Sequence, residues 1–309
     1  MDSKINKYSN QLILINSIFI IFWLTISVFP IHWTLWGSLK VKSDFFSRAD
    51  WFYAISGFNT LLETGAKFTL NGYIESWTEG EFGKAALNTI IVTVSVVSIS
   101  LFLGTLGAYA LSRSTYKYTF WILIAALIFR AMPHITLVSG YLFPFFQFKV
   151  WGILPTTIIV LVAINQPFTL WLLYSFFKTV PKELDESALI DGCSYFQAFR
   201  YIIMPVMWPG VVTAGLFSLM LAYNDFTVTA LLLNQENYTM VPKINAYLGT
   251  VEYGGNYMWA VASVVSATAP LFMIVMFFQR QLISGLTAGA VKGSVSYTHL
   301  RAHETRFYL

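Results

Sequence analysis

The sequence predicts an all-α, polytopic membrane protein with about six transmembrane helices, and three observations carry that expectation. Of 309 residues, 56% are hydrophobic and only 11% are charged. Soluble domains carry about 25% charged residues, so this chain lacks the polar surface to coat a water-soluble globule of its size. Mean hydropathy is +0.62, and with that composition it excludes intrinsic disorder, collagen and coiled coil. Finally, the apolar residues gather in continuous runs long enough to cross a bilayer, which takes about 20 residues as a helix. Barrel strands would instead alternate over segments of about 10 residues.

The first run, Leu12–Trp36, follows Lys4 and Lys7 as a signal peptide would, but no small-residue cleavage site comes after it. It is therefore read as an uncleaved helix. Gly37–Ala86 is mixed in charge and aromatic, and too short for a separate enzyme domain. The second run, Leu87–Leu111, contains Gly104 and Ala108, a small-xxx-small pair suited to close helix packing. A short basic connection, Ser112–Thr119 with Arg113 and Lys117, leads to the third run, Phe120–Phe145. Pro155–Phe177 is the fourth, Trp208–Leu233 the fifth and Tyr257–Ile283 the sixth. Lys178–Met207 and Asn234–Asn256 are polar loops. With both termini inside, nine Lys/Arg lie inside up to Gly293 against seven outside, which favours a cytoplasmic N-terminus.

No internal repeat is visible. The chain divides into residues 1–86 (tail, first helix and outer loop), a core of residues 87–293, and a final string, Ser294–Leu309. That string turns abruptly polar and resembles read-through of adapter or vector sequence, so it is set apart from the fold. His299 and His303 within it have the four-residue spacing of a helical metal pair, which we read as chance. The net charge of +4 is scattered over many loops and leaves no nucleic-acid footprint. A single cysteine, Cys193, excludes an internal disulfide and any CxxC site, and is read as a packed thiol.

The loop between the fourth and fifth runs holds the most information. From Pro181 to Pro209 it reads as two short helices joined at Gly192. Pro181 suits a first helical turn, and Glu183, Asp185 and Glu186 put negative charge at that helix's positive end. Leu184 and Ala188 give it a small apolar face. Gly192 supplies a flexible or left-handed residue that ends it, and Ser194 with Gln197 forms a capping box for the second helix. Phe196, Phe199 and Ile203 are expected to line one face of that second helix, with Pro205 ending it.

Glu186-Ser187-Ala188, Asp191-Gly192 and Pro205 together resemble the EAA loop of binding-protein-dependent ABC importer permeases, with Ser187 for the first Ala and Met204 before the proline. Other segments resemble the carbohydrate branch of that family. These are Phe68–Tyr73 followed by Asn88, Arg130 with Met132 and Pro133, Asn224-Asp225-Phe226, and Gln279-Arg280 through Gly285–Gly293. The resemblance covers nearly all of residues 1–293 and implies a type I ABC importer permease fold. It further implies that loop 178–207 seats on a cytoplasmic ATPase through Glu186, Ser187, Ala188, Asp191, Gly192 and Pro205. The implied partners are a homologous permease, two ATPase copies, an extracytoplasmic solute-binding protein and a carbohydrate, with a multi-pass location in a bacterial or archaeal inner membrane. The chain itself would bind no cofactor, and ATP would be hydrolysed by the partner.

Arg130 and Asp225 are ionisable residues in or beside spans, where they line a watery path, or else snorkel at a helix end or lock helices together. Asn224 and Gln166 carry the same two readings. Trp23, Trp33, Trp36, Trp121, Trp171, Trp208 and Trp259 suit an interfacial aromatic belt better than sugar stacking. His32 and His134 lack neighbouring carboxylates in sequence, which argues against acid–base chemistry. The nearest approach to a phosphate loop, Gly83-Lys84, has Thr78 where its first glycine belongs and Ala85 where Ser/Thr belongs. The chain is therefore expected to be a non-hydrolytic permease subunit. The rival readings are an ion-gradient-driven secondary transporter, which predicts intramembrane carboxylates or broken helices, a catalytic membrane enzyme, and an importer of a polyol or glycerol phosphate.

Overall fold

The computed structural model describes residues 2–40, 69–249 and 256–288. Phe68, the carboxyl end from residue 289, His299 and His303 lie outside the described residues. Among the described residues every regular element is helical. In chain order these are α1 (Asp2–Gly37), α2 (Asn71–Thr78), α3 (Phe82–Arg113), α4 (Tyr118–Ala131), α5 (His134–Gln147) and α6 (Leu154–Phe177). There follow α7 (Glu183–Ile190), α8 (Tyr195–Ala198), a π-helical turn (Phe199–Ile203), α9 (Met204–Tyr223), α10 (Thr227–Leu232), a 3₁₀ turn (Gln235–Asn237), α11 (Met240–Leu248) and α12 (Tyr257–Ala288).

Five stretches are long and apolar enough to cross a membrane: Ile13–Gly37, Phe82–Arg113, Leu154–Phe177, Tyr195–Tyr223 and Tyr257–Leu282. A sixth exists if α4 and α5 count together, but they meet at 87°. The third run is thus not the single span expected over Phe120–Phe145. Pro133 explains the break: it forces Met132 into an extended conformation (φ −70°, ψ 140°), and the chain re-enters helix in a new direction. The fifth run also differs. Its helix begins earlier and stops at Tyr223, and residues up to Leu232 form the separate α10.

The chain divides into two compact units, Met1–Ile90 with Leu233–Phe272, and Ile91–Leu232 with Met273–Leu309. In the first, the turn that follows α2 is tied to α11 by local polar contacts. Tyr247 donates its hydroxyl to the Gly80 carbonyl at 2.5 Å, and Lys243 pairs with Glu81 at 3.4 Å. Burial, helped by the Glu81 charge, pushes the Tyr247 phenol up to about 12, so it stays a neutral donor. Trp259 donates to Glu75 at 2.9 Å, and the Asn88 amide donates to the Tyr238 carbonyl at 3.3 Å.

Two apolar clusters hold the second unit. One joins Ala108, Leu172, Leu173, Phe177, Phe199, Ile203 and Met207, from α3, α6, the π turn and α9. The other gathers Val92, Val96, Val138, Val160, Leu161 and Val228. Gly104 does allow close packing: a Cβ there would sit 3.0 Å from Thr169 Cγ2 and 3.1 Å from Leu173 Cδ1, and Ala108 one turn on is fully buried. The small-xxx-small pair is the seam between α3 and α6.

Candidate functional site

The 178–207 loop folds as the local sequence signals demand. Glu183, Asp185 and Glu186 occupy the first turn of α7. At its other end Gly192 adopts φ +87°, its N–H donating to Leu189 O at 3.1 Å while Cys193 N–H donates to Ala188 O at 3.0 Å. This is a Schellman stop. Ser194 N–H then donates to Gln197 Oε1 at 2.7 Å, and Gln197 N–H returns a bond to Ser194 Oγ at 3.3 Å, completing the capping box that opens α8.

Two expectations for the second helix are corrected. Pro205 does not end it. Met204 N–H donates to Phe199 O, five residues back, and this widened turn lets the chain pass Pro205 at the first turn of α9 without a break. The chain therefore runs from the loop directly into the fifth span. Phe196 does not share the buried face of Phe199 and Ile203. Phe196 is instead 63% exposed, beside Tyr195 at 74% and Ile190 at 85%. Glu186, Ser187, Asp191 and Gly192 are exposed with them, whereas Ala188 is buried in the seat of α7 and Pro205 is exposed on α9.

What holds α7 in place was not visible in the sequence. Arg113, the last residue of α3, donates from Nε to Asp185 Oδ2 at 2.8 Å, and its Nη2 lies 2.7 Å from the same oxygen. Nη1 donates to the carbonyls of Phe177 (3.2 Å) and Val180 (3.1 Å) at the end of α6. Tyr109, one turn back on α3, donates to Asp185 Oδ1 at 2.5 Å. Its ring packs on Phe177 and Phe199 at centroid distances of 5.7 and 4.9 Å. Both charged side chains are shielded, at 16% and 13% exposure. Removing one partner of such a shielded pair costs about 3 kcal/mol or more. The missing signal was a partner 72 residues away.

The polar residues of the spans separate into two groups. Arg130, His134, Asn165 and Asp225 line one cavity of about 30 Å³, together with Val96, Leu161 and Ala222. Arg130 Nη1 lies 2.8 Å from His134 Nε2, and Asp225 Oδ1 accepts the N–H groups of Val228 and Thr229 at 3.0 Å each, capping α10. His134 therefore has a carboxylate in its surroundings after all, brought by the fold rather than by sequence proximity. Asn165 donates to Ser218 Oγ while its own Oδ1 is buried without a partner. Asn224 stands outside this group, exposed and bonded to Met220 O at 3.0 Å. A cavity of this size holds about one or two waters and no sugar ring. Among the described residues no three His, Cys, Asp or Glu gather as metal ligands.

Residues 99–287 match the family described as the binding-protein-dependent transport system inner membrane component. The chain belongs to this family. It is a non-enzymatic transmembrane permease of the ABC transporter class, multi-pass in the inner membrane. Family membership removes both the catalytic membrane enzyme and the ion-gradient transporter. The trehalose/maltose transport system permease MalG of Thermococcus litoralis is 34% identical over 232 residues, covering 74% of this chain and 82% of that one. The diacetylchitobiose uptake permease NgcG of Streptomyces coelicolor is 28% identical, covering 88% and 87%. A crystal structure of a bacterial ABC transporter importing alginate aligns with TM-score 0.69 at 16% identity over 86% of this chain and 95% of the other, a likeness of fold.

Proposed function

We propose that the chain is the permease subunit of an ATP-driven carbohydrate importer, and that Glu183–Ile190 and Tyr195–Ala198 form its docking element for a cytoplasmic ATPase. The observation that carries the docking reading is that Ile190, Tyr195 and Phe196 are all exposed on a capped hairpin whose Glu186 and Asp191 are exposed as well. An apolar patch held on a fixed frame and rimmed by charge is the anatomy of an interface. Glu186, Ser187, Asp191 and Gly192 face the partner, Ala188 seats the helix, and Pro205 lies where the loop becomes a span.

The carbohydrate class rests on the relatives, whose names specify disaccharide uptake. Within the same proposal the chain pairs with a homologous permease and two ATPase copies that hydrolyse the ATP, and receives solute from an extracytoplasmic binding protein. Both termini lie in the cytoplasm. Arg130 and Asp225 line the translocation pathway at the polar cavity, with Asn224 on the exposed turn beside it. In the mechanism, ATP-driven closure of the ATPase pair displaces the hairpin, and the spans exchange inward- and outward-facing arrangements.

The test is Glu186→Lys in the complete assembly, with insertion, ATPase co-purification and solute uptake measured on the same preparation. The variant is expected to insert normally and to lose both ATPase and uptake. Unchanged uptake would overturn the docking reading, and failed insertion would make the hairpin a structural element of the bundle.

A further inference from the structure

Arg113 stands at a junction of three elements. It belongs to the end of one span, α3; it donates to two carbonyls at the end of another, α6; and it holds the first turn of α7 through Asp185. Tyr109 doubles the hold on the same carboxylate, and its ring is wedged between Phe177 and Phe199, which carries the grip to the π turn beyond the second loop helix. The guanidinium lies 5.7 Å from the centre of the Tyr109 ring, so the two anchoring groups also pack on each other. Beside this polar junction, α7 is seated through the buried Ala188 and the partly buried Leu184 and Leu189. Apolar contacts permit sliding or tilting, whereas a bifurcated charge-assisted grip fixes direction as well as distance. The junction is shielded from water, and salt screens it weakly.

We propose that Arg113, Asp185 and Tyr109 are positioning residues for energy coupling: they make a displacement of α7 move the ends of α3 and α6 as one body. This rests on the docking reading of the hairpin and adds how its motion reaches the spans. None of the three faces the ATPase in that reading. Their loss should leave ATPase binding in place and make the stroke slip.

The experiment uses the complete assembly in vesicles, with Asp185→Asn, Arg113→Lys and Tyr109→Phe compared with wild type. Retained ATPase and ATP hydrolysed per solute imported are both measured. Asp185→Asn and Arg113→Lys are expected to keep the ATPase while the ATP cost per solute rises at least about fivefold, the low end of ordinary coupling free energies. Tyr109→Phe keeps the ring packing and the ion pair, and should raise the ratio less. A merely structural role would lower uptake and hydrolysis together and leave the ratio at the wild-type value, which overturns the proposal. If the charge variants fail to insert, Tyr109→Phe decides: a raised ratio supports the junction and an unchanged one overturns it. Glu186→Lys separates the two readings. Loss of ATPase in that variant alongside unchanged ratios in the junction variants removes only this inference, whereas normal uptake in it removes both.

Discussion

At Gly192 the backbone holds φ +87° with open space where a Cβ would sit, so a substitution there meets no neighbour and its whole cost is conformational. That cost is about 1 kcal/mol or more for a β-branched residue in the left-handed region. Asparagine visits that region more readily. Gly192→Val should therefore weaken ATPase co-purification and uptake, while Gly192→Asn should stay near wild type. Gly192→Pro should be worse than valine, because it also removes the N–H that donates to Leu189 O. If asparagine and valine proved equally damaging, the left-handed stop would not be what the position supplies. Gly192, Ser194 and Gln197 were readable in the sequence because a cap is built from residues within one turn. Arg113 and Asp185 were not, because the loop arithmetic sees each only as a charge near a helix end.

Elements were legible to the extent that their breaks were local. Five of the six apolar runs fall on helices long and apolar enough to cross a membrane, since continuous hydrophobicity over about 20 residues leaves few alternatives. The 87° bend of α4 against α5 was written in Met132-Pro133, but hydropathy averages across a single extended residue and reports one run. The reverse happened at Pro205, where a proline read as a stop follows a π turn whose Phe199 and Ile203 are buried in the core, and the helix runs on through it. The α3–α6 seam offers a test at this scale. Gly104→Leu would drive three further carbons into Thr169 and Leu173, already 3.0 and 3.1 Å from a bare Cβ. Overpacking of that kind costs about 1–3 kcal/mol. Thermal unfolding of the purified complex should show a lowered midpoint, with Gly104→Ala much closer to wild type. An unchanged midpoint for leucine would mean that the two spans are not held against each other there.

Across the whole molecule, the candidate site divides between what motion requires and what chemistry would require. A capped hairpin, a π turn feeding a span and a polar junction at three helix ends are devices for transmitting force. Among the described residues nothing comparable is placed for nucleotide. Gly83 and Lys84, the nearest approach to a phosphate loop, lie in the first turn of α3, where Lys84 N–H already donates to Glu81 O at 3.2 Å. A phosphate cradle needs consecutive N–H groups left open on a glycine-rich loop and a hydroxyl for Mg²⁺. The position after Lys84 is instead Ala85, which is buried. The N–H groups of Lys84 and Ala85 are thus already taken by the Glu81 carbonyl. The purified chain should accordingly hydrolyse no ATP above a no-protein control, whereas the assembly with its ATPase subunits should hydrolyse it faster when loaded binding protein is added. Phosphate release from both preparations checks this, with Lys84→Ala introduced into each. Lys84→Ala is expected to leave the assembly's hydrolysis unchanged, and hydrolysis by the isolated chain that vanished in that variant would overturn the assignment of all ATP chemistry to the partner.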